Sequence, residues 1–289
     1  MRPELEEAIT LLRKGDETAV HRALELLQRT VLSFGIKVCG QREDAEDTAQ
    51  EVLFHSLPYL AKLEDPQALS AWLYTAAKNR CWQGRRRATY RKAVALEDLI
   101  PGDAELHALL LADPAANPER QALSRQDHRM LHQAVLTLPP QYRIVLVLHD
   151  MEELDSDMVA KVLSIQPGTV RVRLHRARLL VRQAMARLLN PIDEQKKRKR
   201  TKVRRPAQCQ EIFGNLSDYL DGQLPPESCE RMRRHMEGCP ACVAFIEDLK
   251  RAIDRCRRLD VCPKAEVQPV LRRLLTQEYL RLKNSPANL

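Results

Sequence analysis

An all-α fold is what this sequence predicts, and three observations carry the prediction. The chain of 289 residues holds only 9 Gly and 12 aromatic residues, too few turn and strand formers for a sandwich, a barrel or a Rossmann sheet. Its apolar residues recur at three- and four-residue spacing through most of its length. Residues that start helices, Asp and Pro above all, stand where those runs begin. At ~100 to 200 residues per domain such a length makes more than one compact unit. The sequence divides into two small helical domains and a smaller, Cys-rich helical one. Lys and Arg number 47 against 39 Asp and Glu, a net charge of +8, which points to an anionic partner. A membrane-spanning helix needs ~20 apolar residues, whereas the uncharged run Pro66 to Ala77 has 12, so no membrane partner is expected. The start, Met1-Arg-Pro-Glu-Leu-Glu-Glu, is too acidic and polar for a secretory signal. A cytoplasmic location with reduced thiols is the expectation.

In the first domain, residues 1–92, Val20, Leu24, Leu27, Val31 and Val38 keep a helical rhythm, with Asp16 as N-cap and Gly40 as stop. A second helix is predicted from Glu43 to Leu57, ended by Pro58. A third starts at Asp65-Pro66, with Asp as cap and Pro at the first helical position, and runs past Lys78 into Arg85-Arg86-Arg87. From 93 to 117 the pattern weakens and turns acidic through Glu97, Asp98, Asp103, Glu105 and Asp113, as a linker does. Periodicity resumes at Pro118 with Leu123, Leu131, Ala134 and Leu138, breaks at Pro139-Pro140, and returns in three further stretches to Leu189. That is a second helical domain, residues 118–192. Between 196 and 205 eight of ten residues are Lys or Arg; such a run repels itself, so 193–207 reads as a basic flexible linker. A third unit covers 208–262. Residues 263–289 hold an isolated amphipathic helix near Val270 to Leu282 and a tail.

Ser156 to Leu163, a tight turn at Ser164-Ile165-Gln166, and a long helix from Pro167 have helix-turn-helix spacing. Val170, Leu174, Ala177, Val181 and Met185 form its inward stripe. The 100° step then puts Gly168, Arg171, Val172, His175 and Arg176 on the opposite face, where they can enter a major groove. From Met158 to Ile192 there are seven Lys or Arg and no Asp or Glu, a bias that neutralises phosphates. The stretch Pro167-Gly-Thr-Val-Arg-Val-Arg-Leu-His-Arg-Ala-Arg178 resembles the fourth conserved region of the extracytoplasmic-function (ECF) sigma factors of bacterial RNA polymerase. Leu138-Pro-Pro-Gln-Tyr-Arg-Ile-Val-Leu fits the same pattern. The resemblance implies that Thr169, Arg171, Val172, Arg173, His175, Arg176 and Arg178 contact the minus-thirty-five element. Ser164 departs from the glycine usual in that turn, which strains it slightly.

Arg42-Glu-Asp-Ala-Glu-Asp-Thr-Ala-Gln-Glu-Val-Leu-Phe54 is similar to the family's second conserved region, whose acidic helix docks on the β′ clamp of the polymerase core. Asp44, Asp47 and Glu51 share one helical face, and with Gln50 they make the polymerase-binding set the resemblance implies. Ala71-Trp-Leu-Tyr-Thr-Ala-Ala-Lys-Asn-Arg80 looks like the part that recognises and melts the minus-ten element. Trp72 is read as core. Tyr74, Lys78, Asn79 and Arg80, with the arginines at 85–87, supply the aromatic, amide and cationic groups that single-stranded DNA binding uses. Cys81-Trp82-Gln83-Gly84 and Leu63-Glu64-Asp65-Pro66 depart from the family pattern, which puts in question the bases read rather than the activity.

Six of the eight cysteines, at 209, 229, 239, 242, 256 and 262, lie in the last third of the chain. His235-Met-Glu-Gly-Cys239-Pro-Ala-Cys242 places an imidazole and two thiolates within eight residues, and Cys209 lies upstream. Four such soft ligands make a closed tetrahedral zinc site. Free buried cysteines and a disulfide are the plainer alternatives. A thioredoxin-type motif lacks its βαβ surroundings, and a deaminase lacks its His-x-Glu separated from Pro-Cys-x-x-Cys. Cys209 to Cys242, including Leu216-Ser-Asp-Tyr-Leu-Asp-Gly-Gln-Leu224, resembles the zinc-binding domain of anti-sigma factors, with ligands at Cys209, His235, Cys239 and Cys242.

The fold expected is therefore a sigma region 2 type bundle, a region 4 helix-turn-helix domain and a small helical zinc-binding domain holding one zinc ion. The function expected is a sigma factor that binds RNA polymerase core and promoter DNA. It is not an enzyme. Its tethered zinc domain suggests regulation in cis through an intramolecular contact with the sigma domains. A helix-turn-helix regulator acting without polymerase core is the alternative, and it leaves the acidic stripe and the Trp72 to Arg80 stretch unexplained.

Overall fold

A computed structural model of the chain describes residues 3–62, 65–83, 99, 125–189, 207–261 and 269–284. Regular structure among them is entirely helical. The expectations for Arg85 to Arg87, for residues 193–206 of the basic linker, for Cys262 and, Leu99 apart, for the 93–117 linker fall outside the described residues. The chain forms two compact units, and each draws on separate parts of the sequence.

The first unit contains α1 (Pro3–Lys14), α2 (Glu17–Cys39), α3 (Arg42–Leu60), α4 (Pro66–Gln83), a π turn at Val147–Met151, α7 (Ser156–Leu163) and α12 (Pro269–Lys283). Helix α1, which sequence periodicity did not reveal, is amphipathic, with Leu5, Ala8, Ile9 and Leu12 buried. Helix α2 is the central element. Asp16 caps it by accepting from the Ala19 N–H at 2.8 Å, and Gly40 ends it at φ 80°, where a side chain would be strained. A Cβ at Gly35 would lie 2.9 Å from that of Ala45, so α2 and α3 approach each other through a glycine. Pro58 does not end α3, contrary to expectation. It lies in the last turn, where a missing N–H costs a single bond, and the burial of Leu57 and Leu60 carries the helix past it. Helix α12 runs along α2: Arg272 pairs with Glu25 at 3.7 Å, and Lys283 donates to the Leu12 carbonyl at 3.1 Å. Leu275 and Tyr279 are buried beneath it.

The second unit contains α5 (Arg125–Thr137), α6 (Pro140–Leu146), α8 (Pro167–Leu189), α9 (Ala207–Leu220), α10 (Pro226–Gly238) and α11 (Pro240–Arg257). Pro139-Pro140 breaks the helix as predicted, and Arg143 donates to the Leu136 and Leu138 carbonyls around that break. The core built by α9 to α11 holds Ile212, Phe213, Leu216, Met232, Phe245, Leu249 and Ile253, with Phe213 and Phe245 edge to face at 5.0 Å. Leu179 of α8 and Leu99, from the segment read as a linker, are buried in the same core.

Candidate nucleic-acid interface and metal centre

Helix α8 carries the face expected to meet DNA. Val170, Leu174, Ala177, Val181 and Met185 are buried, as the stripe requires. Arg171 is exposed, Thr169, Arg173 and Arg176 are half-buried, and Val172 is 54% exposed. The Arg176 guanidinium reaches the Tyr142 hydroxyl at 3.5 Å. His175 and Arg178 are placed differently from expectation. Arg178 is fully buried and forms a two-point pair with Asp221, at 2.8 and 2.9 Å. His175 is buried with Nδ1 3.0 Å from the Ser217 hydroxyl, and its Nε2 meets no partner among the described residues. One turn further along α8, Arg182 pairs with Asp248 at 2.7 Å and lies over the Phe245 ring. At the turn before α8, Ser164 takes φ 56°, the left-handed geometry in which glycine is easier, so the strain read at this position is present.

Burial, with the charges of Arg178 and Arg176, lowers the His175 pKa to about 4. The packing of His175 therefore holds neutral imidazole. Because the folded value lies below the unfolded ~6.5, its stabilisation is present above 6.5 and is lost as pH falls toward 4. Going from pH 7.5 to 5.5 should weaken this packing by about 1.4 kcal/mol. The nearby Asp218 carboxyl, raised by burial, opposes this as pH falls. Hydrogen exchange of residues 168–182, corrected for intrinsic rates, checks the shift, which His175→Asn should abolish.

In the first unit, Asp44 and Asp47 are exposed on α3, Gln50 is half-buried, and Glu51 is paired with Arg80 at 2.5 Å. Of the predicted strand-binding residues, Asn79 and Arg80 are exposed. Tyr74 and Lys78 are not. Tyr74 is 1% exposed, edge-on to Phe34, and donates to Glu152 at 2.8 Å. Lys78 donates to the Val162 carbonyl at 2.8 Å, and burial lowers its pKa. The stripe Ser70, Leu73, Tyr74, Ala77 and Cys81 is the signal that would have placed Tyr74 in the core. Trp72, read as core, is instead half-buried and stacks at a tilt with Tyr59, which is 55% exposed.

The metal-ligand quartet comes together from three helices. Cys209 opens α9, His235 closes α10, Cys239 joins α10 to α11, and Cys242 lies in the first turn of α11. Their ligand atoms all lie within 4.8 Å of one another. His235 Nε2 is 3.6 Å from Cys209 Sγ and 3.3 Å from Cys242 Sγ. A tetrahedral zinc ion with bonds of ~2.3 Å to sulfur and ~2.0 Å to nitrogen needs ligand separations close to those. Burial, then the neighbouring Cys239 and Cys209, pushes the Cys242 thiol up, a repulsion that a divalent cation would remove. The donor set fits zinc and is closed, with no position left for a reactive water. Each of these cysteines is free of a disulfide, as is Cys229, whose Sγ faces the Leu224 carbonyl.

Fold and site together define a helical DNA-binding protein with an attached Cys₃His domain. The family models for sigma-70 region 2 and sigma-70 region 4 match residues 23–91 and 128–181, and a zinc-finger family model matches 209–242. The ECF RNA polymerase sigma factor SigW of Bacillus subtilis is 26% identical over 181 residues, 63% of this chain and 96% of that protein. The RNA polymerase sigma-H factor of Pseudomonas aeruginosa is 27% identical over 189 residues, 64% of this chain and 95% of its own. A solved complex of the sigma factor RpoE with the anti-sigma factor NepR from Bartonella quintana overlays with a TM-score of 0.40 at 19% identity, covering 56% of this chain and 94% of that one. That overlay is too slight to carry a geometric argument. These matches support an ECF sigma factor of RNA polymerase that carries a C-terminal zinc-finger domain. It acts in transcription initiation and is not an enzyme. Among the described residues, no helix is long and apolar enough to cross a membrane.

Proposed function

We propose that this sigma factor works in the cytoplasm and binds the β′ clamp of the polymerase core through Asp44, Asp47 and Gln50. In this reading it meets the minus-thirty-five element through Thr169, Arg171, Val172, Arg173, His175, Arg176 and Arg178. Its zinc-finger domain holds one zinc ion and regulates promoter binding in cis, by covering part of that same helix. The observation that carries the cis reading is the two-point pair between Arg178 and Asp221. A guanidinium that could neutralise a phosphate is already neutralised by a carboxylate. The unpartnered Nε2 of His175 supports the same view, since a groove-facing imidazole would find its acceptor or donor on a base edge. Reconstituted transcription tests it: with core polymerase and a promoter library, the full chain should give less transcript than variants that break the Arg178 pair.

Core binding has its own test. Asp44 and Asp47 are the free acidic groups of the stripe, whereas Glu51 is engaged by Arg80. Asp44→Lys with Asp47→Lys should weaken core binding by on the order of 2 kcal/mol while leaving the melting temperature within a few degrees. Pull-down with core polymerase measures it, and undiminished holoenzyme formation would remove these residues from the contact.

A further inference from the structure

The first unit contains a buried acid held by two donors from its region 2 helices. Glu152, just after the π turn, accepts from the Lys37 ammonium on one carboxylate oxygen and from the Tyr74 hydroxyl on the other, each at 2.8 Å. Glu152 and Lys37 are both fully buried, with the Phe34 ring closing one side of Tyr74 at 5.2 Å. A third donor from region 2, the Lys78 ammonium, holds the Val162 carbonyl in the last turn of α7. The chain reaches this position through Glu153 at φ 58°, a left-handed conformation that a glutamate adopts at a cost.

Taken without Glu152, the Lys37 ammonium and the Tyr74 hydroxyl are a two-point seat for a monoanion in an apolar surround. Tyr74 and Lys78 also belong to the stretch whose sequence resembles the strand-melting part of the family. We infer that this seat is a binding site for a backbone phosphate of single-stranded promoter DNA, and that Glu152 fills it from within until the segment 147–165 withdraws. The exchange balances in charge, since a phosphodiester and a carboxylate each bring one negative charge to the same ammonium. It balances in hydrogen bonds too, since phosphate oxygens accept from the donors that Glu152 and the Val162 carbonyl release. Withdrawal also frees Glu153 from its strained geometry. The site rests on the assignment to the sigma factors and is independent of any cover by the zinc domain, whose contacts involve other residues.

The test uses the full chain and a fluorescent single-stranded oligonucleotide of mixed sequence. Glu152→Gln removes the internal anion with little change of shape. It should tighten strand binding by about tenfold and speed hydrogen exchange in residues 156–163. Adding Lys37→Gln should abolish the gain in strand binding. Inorganic phosphate should compete only weakly, because the strand also engages Lys78. Should Glu152→Gln melt the unit, Glu152→Asp serves instead, since it keeps the charge but is too short to reach both donors. A gain that survives Lys37→Gln overturns the seat, as does wild-type binding and exchange in both Glu152 variants. Binding of inorganic phosphate with no gain for the oligonucleotide would assign the seat to a free anion and overturn the promoter-strand part. Polymerase pull-down with the same variants, unchanged in every case, keeps this result separate from the assignment as a sigma factor.

Discussion

Asp221→Asn should raise the affinity of the full chain for a duplex carrying its minus-thirty-five element by at least about tenfold. The substitution keeps the shape of the side chain and removes its charge. Arg178, fully buried, then loses the carboxylate charge of its two-point partner. Breaking a buried pair from one side costs about 3 to 5 kcal/mol, much more than the pair itself is worth. That cost falls on the packing of α8 against Ser217 and Asp221 and is absent wherever α8 faces DNA, so the population shifts toward the DNA-competent form. Arg178→Ala should give a smaller gain, because it opens the same packing but also removes a phosphate contact. Fluorescence anisotropy with labelled duplex, repeated at two salt concentrations, separates the variants. Equal affinity of the wild type and a folded Asp221→Asn chain would sink the masking role of this pair.

Cys239→Ser should release the metal and unfold α9 to α11 without unfolding the first unit. Structural zinc supplies about 10 to 16 kcal/mol in small Cys/His sites, whereas the core behind this one is a single cluster around Phe213, Leu216, Phe245 and Leu249. An incomplete ligand set loses most of that contribution. Release of zinc to a chromogenic chelator, loss of helical circular dichroism and increased promoter binding should occur together. Cys229→Ser is the control: its thiol faces the Leu224 carbonyl and lies outside the quartet, so metal content should stay at one per chain. If Cys239→Ser also kept one metal per chain and its melting temperature, the quartet would be wrong.

Local signals in the sequence were faithful where one element decides the outcome. Asp16 and Gly40 bound α2 as read, Pro66 opens α4, and Ser164 takes the left-handed turn. The ligand quartet was legible because three of its members lie within eight residues and soft ligands at that spacing have few other uses. What escaped was long-range. Lys37 and Glu152 are separated by 115 positions, and nothing near either one signals a buried pair. Arg178 and His175 looked like an outward face because α8 was read alone, whereas Ser217 and Asp221 come from a different part of the chain. Tyr74 is buried and Trp72 only half-buried, against expectation, for the same reason. Composition marks both as strand-binding or core residues, and only the neighbours decide which. Pro58 shows burial outweighing a local breaker.

Lys283 at the end of α12 binds the Leu12 carbonyl at the end of α1, 271 positions earlier. During synthesis at roughly 5 to 20 residues per second, the ribosome makes α1 to α4 long before α12 exists. The groove on α2 that later receives Leu275 and Tyr279 therefore stays uncovered until α12 emerges. A nascent chain can form α3 early but completes its first unit only once α12 has been made. Transcripts cut short before this point would yield chains with an open apolar groove, which proteases and chaperones can tell from finished molecules.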